Sequence, residues 1–302
     1  GREALLSNTT ASANTVVGFQ AAVLNTTGAS NVAIGYEALE QNTTGGTNVA
    51  IGRAALLSNT TASNNVAVGY QAGHSNTTNP ENTFIGYQSG YSSTGGYNTA
   101  IGHTAGYAIT SGTGNTALGR LVMSSGAGVT GGANTGVGNN TLPALTSGAN
   151  NSSLGDAALG ANTTGSSNTA IGATALRFNT TASNNTALGY QSLYANTTGT
   201  GNTSVGSNAL DANTTASYNI GIGLNALGAN TTGERNVAIG VDALDANTVG
   251  GRNVAVGFNT LGAANPSSAS DVYNTAVGYN AGGSVTTGFS NTAIGGLSLD
   301  AQ

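Results

Sequence analysis

A five-residue phrase, Asn-x-Ala-Ile/Val-Gly, returns along the whole chain. Its glycine recurs at constant spacing, with one shorter step after Gly86 and two longer steps after Gly119 and Gly257. These glycines are Gly1, Gly18, Gly35, Gly52, Gly69, Gly86, Gly102, Gly119, Gly138, Gly155, Gly172, Gly189, Gly206, Gly223, Gly240, Gly257, Gly278 and Gly295. A chain that repeats one coil-sized unit buries apolar surface by stacking neighbouring units. The sequence therefore predicts a single repeat solenoid over residues 1–302, with 18 units of about 17 residues.

We number each unit from its glycine, which is position 0. Positions −4 to −1 read like Asn31, Val32, Ala33 and Ile34, a pattern typical of a short β-strand. Alternation puts positions −3 and −1 on one face, and we predict that this face forms the core. Position −2, on the other face, is small in nearly every copy, so both faces look covered. Because a thin coil covers only its own inside, we expect the second face to pack on another chain, most simply in a symmetric trimer. The alternative is a small-residue face open to solvent.

The residues after the glycine favour a helix but are too few to hold one. They read x-x-Ala-Leu-x-Ala/Ser-Asn, as in Ala38 and Leu39, and so short a segment does not form an isolated helix. We predict at most one short helical turn per coil. The leucine at position +4 is the second predicted core residue, and glycine replaces it at Gly73, Gly90, Gly106 and Gly282. The predicted fold class is an all-β, repetitive β-solenoid of the β-roll or β-helix type.

Most units close with Asn-Thr-Thr followed by Gly or Ala, which indicates a corner. The asparagine stands at Asn8, Asn25, Asn42, Asn59, Asn76, Asn162, Asn179, Asn196, Asn213 and Asn230. Stacked coils would align these side chains into asparagine and threonine ladders at the strand spacing of roughly 4.8 Å. The asparagine at position −4 would form another ladder. Such ladders explain how so polar a chain holds its register.

Composition excludes several classes of partner. The formal net charge is −5, from 6 basic and 11 acidic residues, so no basic patch is available to follow a nucleic-acid backbone. The chain has no cysteine for disulfides or thiolate metal sites. It contains no apolar stretch near the roughly 20 residues that span a bilayer, so we expect no membrane insertion. Because Gly1 already occupies position 0, we expect a fragment of a longer fibre protein.

The sequence offers no catalytic, cofactor-binding or metal-binding residues. His74 and His103 occupy different repeat positions without cysteine or acidic partners, which favours two variable surface sites. No Gly-x-Ser-x-Gly elbow or catalytic triad is evident. Acidic residues occur in some copies only, on positions expected to face solvent. They include Glu37, Glu40, Asp156, Asp211, Asp242 and Asp245. We therefore predict that the chain is not an enzyme and holds no cofactor.

Two further patterns carry a structural and a functional interpretation each. The Asn-Thr-Thr triplets match the N-glycosylation acceptor, but their place at a corner already explains them, so we regard the match as incidental. Aromatic residues recur at position +1, as at Tyr36, Tyr70 and Tyr87. Such a row binds carbohydrate if its ring faces are free, yet residues such as Arg53 interrupt it. A packing position beside a groove is the simpler interpretation.

The unit Asn185 to Gly199, which reads NTALGYQSLYANTTG, resembles the shaft repeats of bacterial and phage tail-fibre-domain proteins over nearly the whole chain. Its strand phrase is also similar to the head repeats of trimeric autotransporter adhesins, which form a parallel β-roll in a trimer. The resemblance implies a trimeric fibre on a cell surface or virion. It implies a structural shaft that spaces or presents a receptor-binding region, with any cell-surface glycan or protein receptor bound by regions outside this fragment. No functional residue carries over, since these repeats act as shaft.

Two other functions remain open from the residues. Aligned threonine and asparagine would suit an ice-binding or surface-binding solenoid, although the threonine pairs fall at a turn. A polysaccharide-cleaving solenoid enzyme would need an acid or base cluster on one face, and none is present. Binding could also lie in the two longer units, at residues 124–132 and 264–271, because insertions in solenoids often carry binding. We predict that trimming both loops leaves folding and assembly intact.

The face assignment makes predictions about single substitutions. Aspartate at Ile239 or Leu227 should severely destabilise the coil, because both are predicted core residues. Replacing Glu234 should have almost no effect. Valine at Gly172 should also destabilise, through a positive φ or a close approach of the next coil.

Overall fold

Each repeat unit contributes one short β-strand, and successive strands pair in parallel. The computed structural model describes residues 1–124, 126–268 and 270–300, apart from the side chain of Ser270. The chain divides into two compact units, Gly1–Asn150 and Asn151–Gln302. No helix occurs among the described residues, and each unit is a β-solenoid. The predicted all-β solenoid, with one repeat unit per coil, is therefore confirmed.

The first unit holds eight strands, and each pairs with the next along the chain. They are β1 (Thr15–Val17), β2 (Val32–Ile34), β3 (Val49–Ile51), β4 (Val66–Val68), β5 (Thr83–Ile85), β6 (Thr99–Ile101), β7 (Thr116–Leu118) and β8 (Thr135–Val137). Their register matches equivalent positions, so that Ala33 lies opposite Ala50 and Ile34 opposite Ile51. The shorter step after Gly86 keeps the same register, with Ile85 opposite Ile101.

The second unit repeats this arrangement and adds one short strand pair. Its strands are β9 (Ser152–Leu154), β10 (Thr169–Ile171), β11 (Thr186–Leu188), β12 (Thr203–Val205), β13 (Ile220–Ile222), β14 (Val237–Ile239), β15 (Gly250–Gly251), β16 (Val254–Val256), β17 (Ser270–Asp271), β18 (Thr275–Val277) and β19 (Thr292–Ile294). The strands that precede the repeat glycine pair in sequence, as β10 does with β11. The insertion before Gly278 forms β17, which pairs with β15.

The predicted orientation of the strand is wrong. Ala33 and Ala170, at position −2, are fully buried, whereas Ile34 at position −1 is 37% exposed and Leu188 is 43% exposed. The alternation along the strand is as predicted, but its two faces are exchanged. A coil made of a single repeat unit is so narrow that the inside of the strand has room only for a small side chain, and the larger aliphatic residues point outward.

Leucines and asparagines fill the inside of each coil. Leu39 and Leu176, at position +4, are fully buried, which confirms their predicted core position. The corner asparagines form an interior ladder from Asn25 to Asn76 in the first unit and from Asn162 to Asn247 in the second. In it, Asn42 Nδ2 donates to Asn25 Oδ1 at 2.7 Å and to the Gly45 carbonyl at 2.9 Å. The position −4 asparagines form a second ladder, in which the backbone amide of each donates to Oδ1 of its equivalent in the preceding coil. These bonds confirm both predicted ladders and satisfy most of the buried amides, although the buried Oδ1 atoms of Asn8 and Asn76 have no hydrogen-bond partner in the described part of the chain.

The threonines of the corner also repeat from coil to coil. The hydroxyl of Thr26 donates to the Thr43 carbonyl at 3.0 Å, and that of Thr180 donates to the Thr197 carbonyl at 3.1 Å. This confirms a threonine ladder. The second threonine of each pair, such as Thr27, is exposed.

The short helical turn that the residue types allow does not form. Glu37 and Leu39 have φ of 57° and 55°, and the equivalent positions +2 and +4 are left-handed in most other coils. Alternating left-handed residues are incompatible with a right-handed helical turn. Tertiary packing of the leucine thus overrides the helix propensity of this segment.

The glycine at position 0 is required by its backbone and its neighbours. Gly172 has a φ of 135°, and a Cβ added there would overlap the Gly189 carbonyl of the next coil. The predicted intolerance of Gly172 to valine is therefore supported by both proposed causes, the positive φ and the close approach.

Candidate functional site

The described residues contain no group of three or more His, Asp or Glu side chains placed to hold a metal ion. His103 is exposed, as expected for a surface site. His74 differs, because its ring stacks on Tyr91 at 4.8 Å and its buried Nδ1 has no hydrogen-bond partner in the described part of the chain. Burial lowers the pKa of His74, since the charged imidazolium is disfavoured there.

The acidic residues are less solvated than the sequence predicts. Asp211 and Asp245 are partly buried, and burial raises the pKa of both carboxyl groups. Burial likewise raises the pKa of Glu40. Asp242 accepts a hydrogen bond from Asn225 Nδ2 at 3.0 Å. Besides burial, which is the larger cause, the Asp242 carboxylate also raises the pKa of Asp245.

The asparagines of the Asn-Thr-Thr triplets, apart from the partly buried Asn8, are buried in the folded chain and inaccessible as glycan acceptors. Asn179 is fully buried, and its Nδ2, the atom that would carry a glycan, donates to Asn162 Oδ1 at 2.9 Å and to the Ala182 carbonyl at 3.0 Å. A glycan on this atom would break both bonds. The structure thus supports the interpretation of the triplet as a corner.

Aliphatic side chains at position −1 form a column on the outside of the strands. Each member is at least partly exposed: Ile51, Val68, Ile101, Val137, Val205, Ile222 and Val256 are half-buried, and the others are at least 37% exposed. They include Val17, Ile34, Ile85 and Leu118 in the first unit, and Leu154, Ile171, Leu188, Ile239, Val277 and Ile294 in the second. We call this the aliphatic column. Parallel pairing at identical positions makes each column continuous from strand to strand within its unit. The sequence signal for this orientation is the small residue at position −2, because only a small side chain fits on the inside of so narrow a coil, which leaves position −1 outside.

Position +1 forms a stack of side chains in the first unit. Phe19 stacks on Tyr36 at 5.4 Å between ring centroids, Tyr70 on Tyr87 at 5.3 Å, and Tyr87 on His103 at 5.1 Å. The Arg53 guanidinium lies 5.5 Å from the Tyr36 ring centroid and 5.7 Å from that of Tyr70. Arg53 therefore continues the row that the sequence suggested it interrupts. Because the ring faces cover one another, they are not free to stack on a sugar.

The second unit has a different arrangement of arginine and tyrosine, before the strand. Arg235 lies over the Tyr218 ring and pairs with Glu234 at 2.9 Å. Arg252 lies over the Tyr273 ring and pairs with Asp271 at 2.7 Å. Each guanidinium here has its own carboxylate, so this cluster is electrically neutral.

Both longer units pack part of their inserted residues on the coils. In the first, Val129 is buried and forms a parallel bridge with Ile109. In the second, the Asp271 carboxylate forms an ion pair with Arg252 at 2.7 Å. Ser125 and Ala269, which belong to the two candidate loops, lie outside the described residues.

Comparison with known proteins adds no functional information. No protein-family model, curated protein or solved structure matches this chain. Among the described residues, no helix is long and apolar enough to cross a membrane.

Proposed function

We propose that this chain is the structural shaft of an extracellular or virion fibre of the adhesin or tail-fibre type. The shaft is a homo-oligomer, most simply a trimer, and it spaces or presents a receptor-binding region that lies outside these residues. The receptor is a glycan or protein of a cell surface. Neither nucleic acid nor a membrane is a partner, and the chain is not an enzyme.

The observation that carries the proposal is the aliphatic column. Contiguous exposed apolar surface is rare on monomeric proteins and marks sites of association. An aliphatic residue stands at position −1 of each strand, exposed as at Ile171 and Leu188 or half-buried as at Val205, so a second copy of the chain offers the same column at the same spacing. Symmetric association of identical columns buries all of them together. The remaining coil surface repeats with little variation, which suits a spacer.

Mass photometry of the purified chain, combined with variants of the aliphatic column, tests the proposal. We expect a trimer for the unmodified chain. Ile171→Lys with Leu188→Lys should yield monomers with an unchanged far-ultraviolet dichroism spectrum, because both residues point away from the coil interior. Thr181→Lys with Thr198→Lys adds the same charge on another exposed column and should leave the trimer intact. A monomeric unmodified chain would contradict the proposal.

A second candidate function is ice or surface binding. It is favoured by the exposed second threonine of the Asn-Thr-Thr corners, such as Thr27, Thr44 and Thr61, although the coils between Ser93 and Ser153 lack it. The asparagine ladders contribute nothing to such a surface, because Asn42 and its equivalents are buried. Thermal hysteresis that disappears in a Thr44→Lys variant would favour this candidate over the fibre shaft.

A further inference from the structure

The stack at position +1 continues into a stretch of the chain that is nearly free of acidic residues. Glu81 is the only acidic residue between Gln41 and Gly155. It lies before the strand, whereas position +1 follows it, so the strand separates the two along the coil. Arg53 and Arg120 both occupy position +1, and neither forms an ion pair among the described residues. Residues 41–155 therefore carry a formal charge of +1 (Arg53 and Arg120 against Glu81), within a chain of negative net charge. Outside this stretch, the carboxylate of Glu37 interacts with Tyr36, whose ring Arg53 covers.

The residues between the two arginines present hydrogen-bond donors and ring edges with partial positive charge, which also suit an anionic ligand. We define the aromatic edge as Arg53, Tyr70, Tyr87, His103 and Arg120, all of which are exposed. Stacking uses the electron-rich ring faces and leaves the ring edges, which carry partial positive charge, towards solvent. The hydroxyl groups of Tyr70 and Tyr87 have no hydrogen-bond partner in the part of the chain that the structure describes. The edge is therefore cationic at both ends and lined by hydroxyl groups between them.

We propose that the aromatic edge binds a linear acidic polysaccharide lying along the coil axis. Arg53 and Arg120 are four coils apart, about 19 Å at the strand spacing. A polysaccharide with uronate carboxylates or sulfate esters along its length places two anionic groups at that separation, where the guanidinium groups form charge-assisted hydrogen bonds. Its hydroxyl groups exchange hydrogen bonds with those of Tyr70 and Tyr87. This site is independent of the oligomer proposed above.

The occupied ring faces decide against a nucleic acid. Proteins bind single-stranded nucleic acid by stacking bases on free aromatic faces. Here Tyr87 is covered on both sides, by Tyr70 at 5.3 Å and by His103 at 5.1 Å. A ligand of this edge is therefore recognised through charge and hydroxyl groups, which an acidic polysaccharide combines.

Calorimetric titration with size-defined oligogalacturonate and with a sulfated oligosaccharide tests the proposal, using neutral dextran and single-stranded DNA as comparison ligands. We expect saturable binding of at least one of the two acidic glycans, weakened by added salt. Arg53→Gln with Arg120→Gln should weaken it at least about tenfold. Arg177→Gln with Arg235→Gln removes the same charge from the second unit and should change affinity less than about twofold. Tyr70→Phe with Tyr87→Phe keeps the stack and should weaken binding about threefold.

Three results would overturn the proposal. The first is absence of binding to both acidic glycans. The second is equal loss of affinity in the two arginine double variants, which would show attraction to the whole chain only. The third is single-stranded DNA binding as tightly as the glycans with no effect of the tyrosine substitutions, which would show that any polyanion is accepted.

Discussion

At the scale of single residues, two aliphatic positions that the sequence predicts to be in the core differ in burial, because the coil is narrow. Leu227 is fully buried, while Ile239 is 38% exposed on β14. The predicted core position of Ile239 is therefore wrong. Leu227→Asp should destabilise the fold by at least about 3 kcal/mol, because it buries an unpaired charge. Ile239→Asp should leave the melting temperature of a dissociated chain nearly unchanged and weaken association instead. Equal losses of melting temperature would contradict the orientation of the strand.

The buried asparagine ladder makes a second prediction at this scale. Asn196 Nδ2 donates to Asn179 Oδ1 at 2.9 Å and to the Gly199 carbonyl at 3.0 Å. Asn196→Ala removes the donor to the buried Asn179 Oδ1 and the Oδ1 acceptor of Asn213 Nδ2, while the Gly199 carbonyl keeps its bond from Asn185 Nδ2. We therefore expect a loss of about 2 kcal/mol in chemical denaturation. Thr181→Ala, on the exposed threonine column, should cost less than about 0.5 kcal/mol. A small effect of Asn196→Ala would show that water replaces the ladder.

His74 gives the chain a pH dependence whose sign follows from burial. Its pKa is lowered in the folded chain, so the unfolded chain binds the proton more readily. The contribution to stability is therefore complete above the ordinary histidine pKa of about 6.5 and is lost as pH falls towards the lowered value. His74→Phe keeps the ring beside Tyr91 without the titration. The stability of the unmodified chain relative to this variant should fall between about pH 7 and 5 in urea denaturation. A difference that does not change with pH would show that His74 is solvated.

At the scale of one coil, large and small core residues compensate for one another. Phe84 stands at position −2, where other coils have small residues, and the neighbouring position +4 residues are Gly73 and Gly90 instead of leucine. A Cβ on Gly73 would lie 2.7 Å from Phe84 Cδ2, and one on Gly90 would overlap the same ring. The phenylalanine therefore fills the space that two leucine side chains leave open.

This exchange predicts strong coupling between two substitutions. Phe84→Ala should destabilise by about 3–5 kcal/mol, because it leaves a cavity beside two glycines. Gly90→Leu alone should also destabilise, since the side chain collides with the ring. The double variant restores the common Ala and Leu combination and should recover most of the loss. Chemical denaturation of the four proteins gives the coupling energy. Additive losses would show that the two positions do not share the space.

The sequence predicts the elements of each coil well but predicts poorly which face of the strand turns inward, for a physical reason. Spacing alone gives the strand, the corner and the ladders, because each depends on residue type at a fixed position, as with Asn42 and Gly172. Which face of so short a strand turns inward depends on the width of the coil, and hydrophobicity alone points the wrong way for Ile34. The stack at Arg53 could not be predicted either, because a guanidinium replaces an aromatic ring in it only when coils are in register.

At the scale of the whole molecule, the ladders and strand pairs join a residue to its equivalent in the neighbouring coil. In the second unit, Asn179 bonds Asn162 and Asn196 in the same way. Such a chain behaves as a one-dimensional array whose stability is a sum over neighbouring coils. Removing one coil of regular sequence, away from the matched Phe84, Gly73 and Gly90, therefore leaves the flanking coils with a suitable neighbour.

Deletion of residues 172–188 tests this property. It joins Ile171 to Gly189 and brings Asn162 opposite Asn196, so the ladder and the strand register continue. We expect an unchanged dichroism spectrum per residue and only a small fall in melting temperature, because one of many similar interfaces is lost. Deletion of residues 172–180 removes about half a coil and places corner residues opposite strand residues. That variant should lose melting temperature sharply, since a shift of register turns apolar residues inward and asparagines out of their ladder. Similar losses for both deletions would show that coils are specific to their neighbours and not interchangeable.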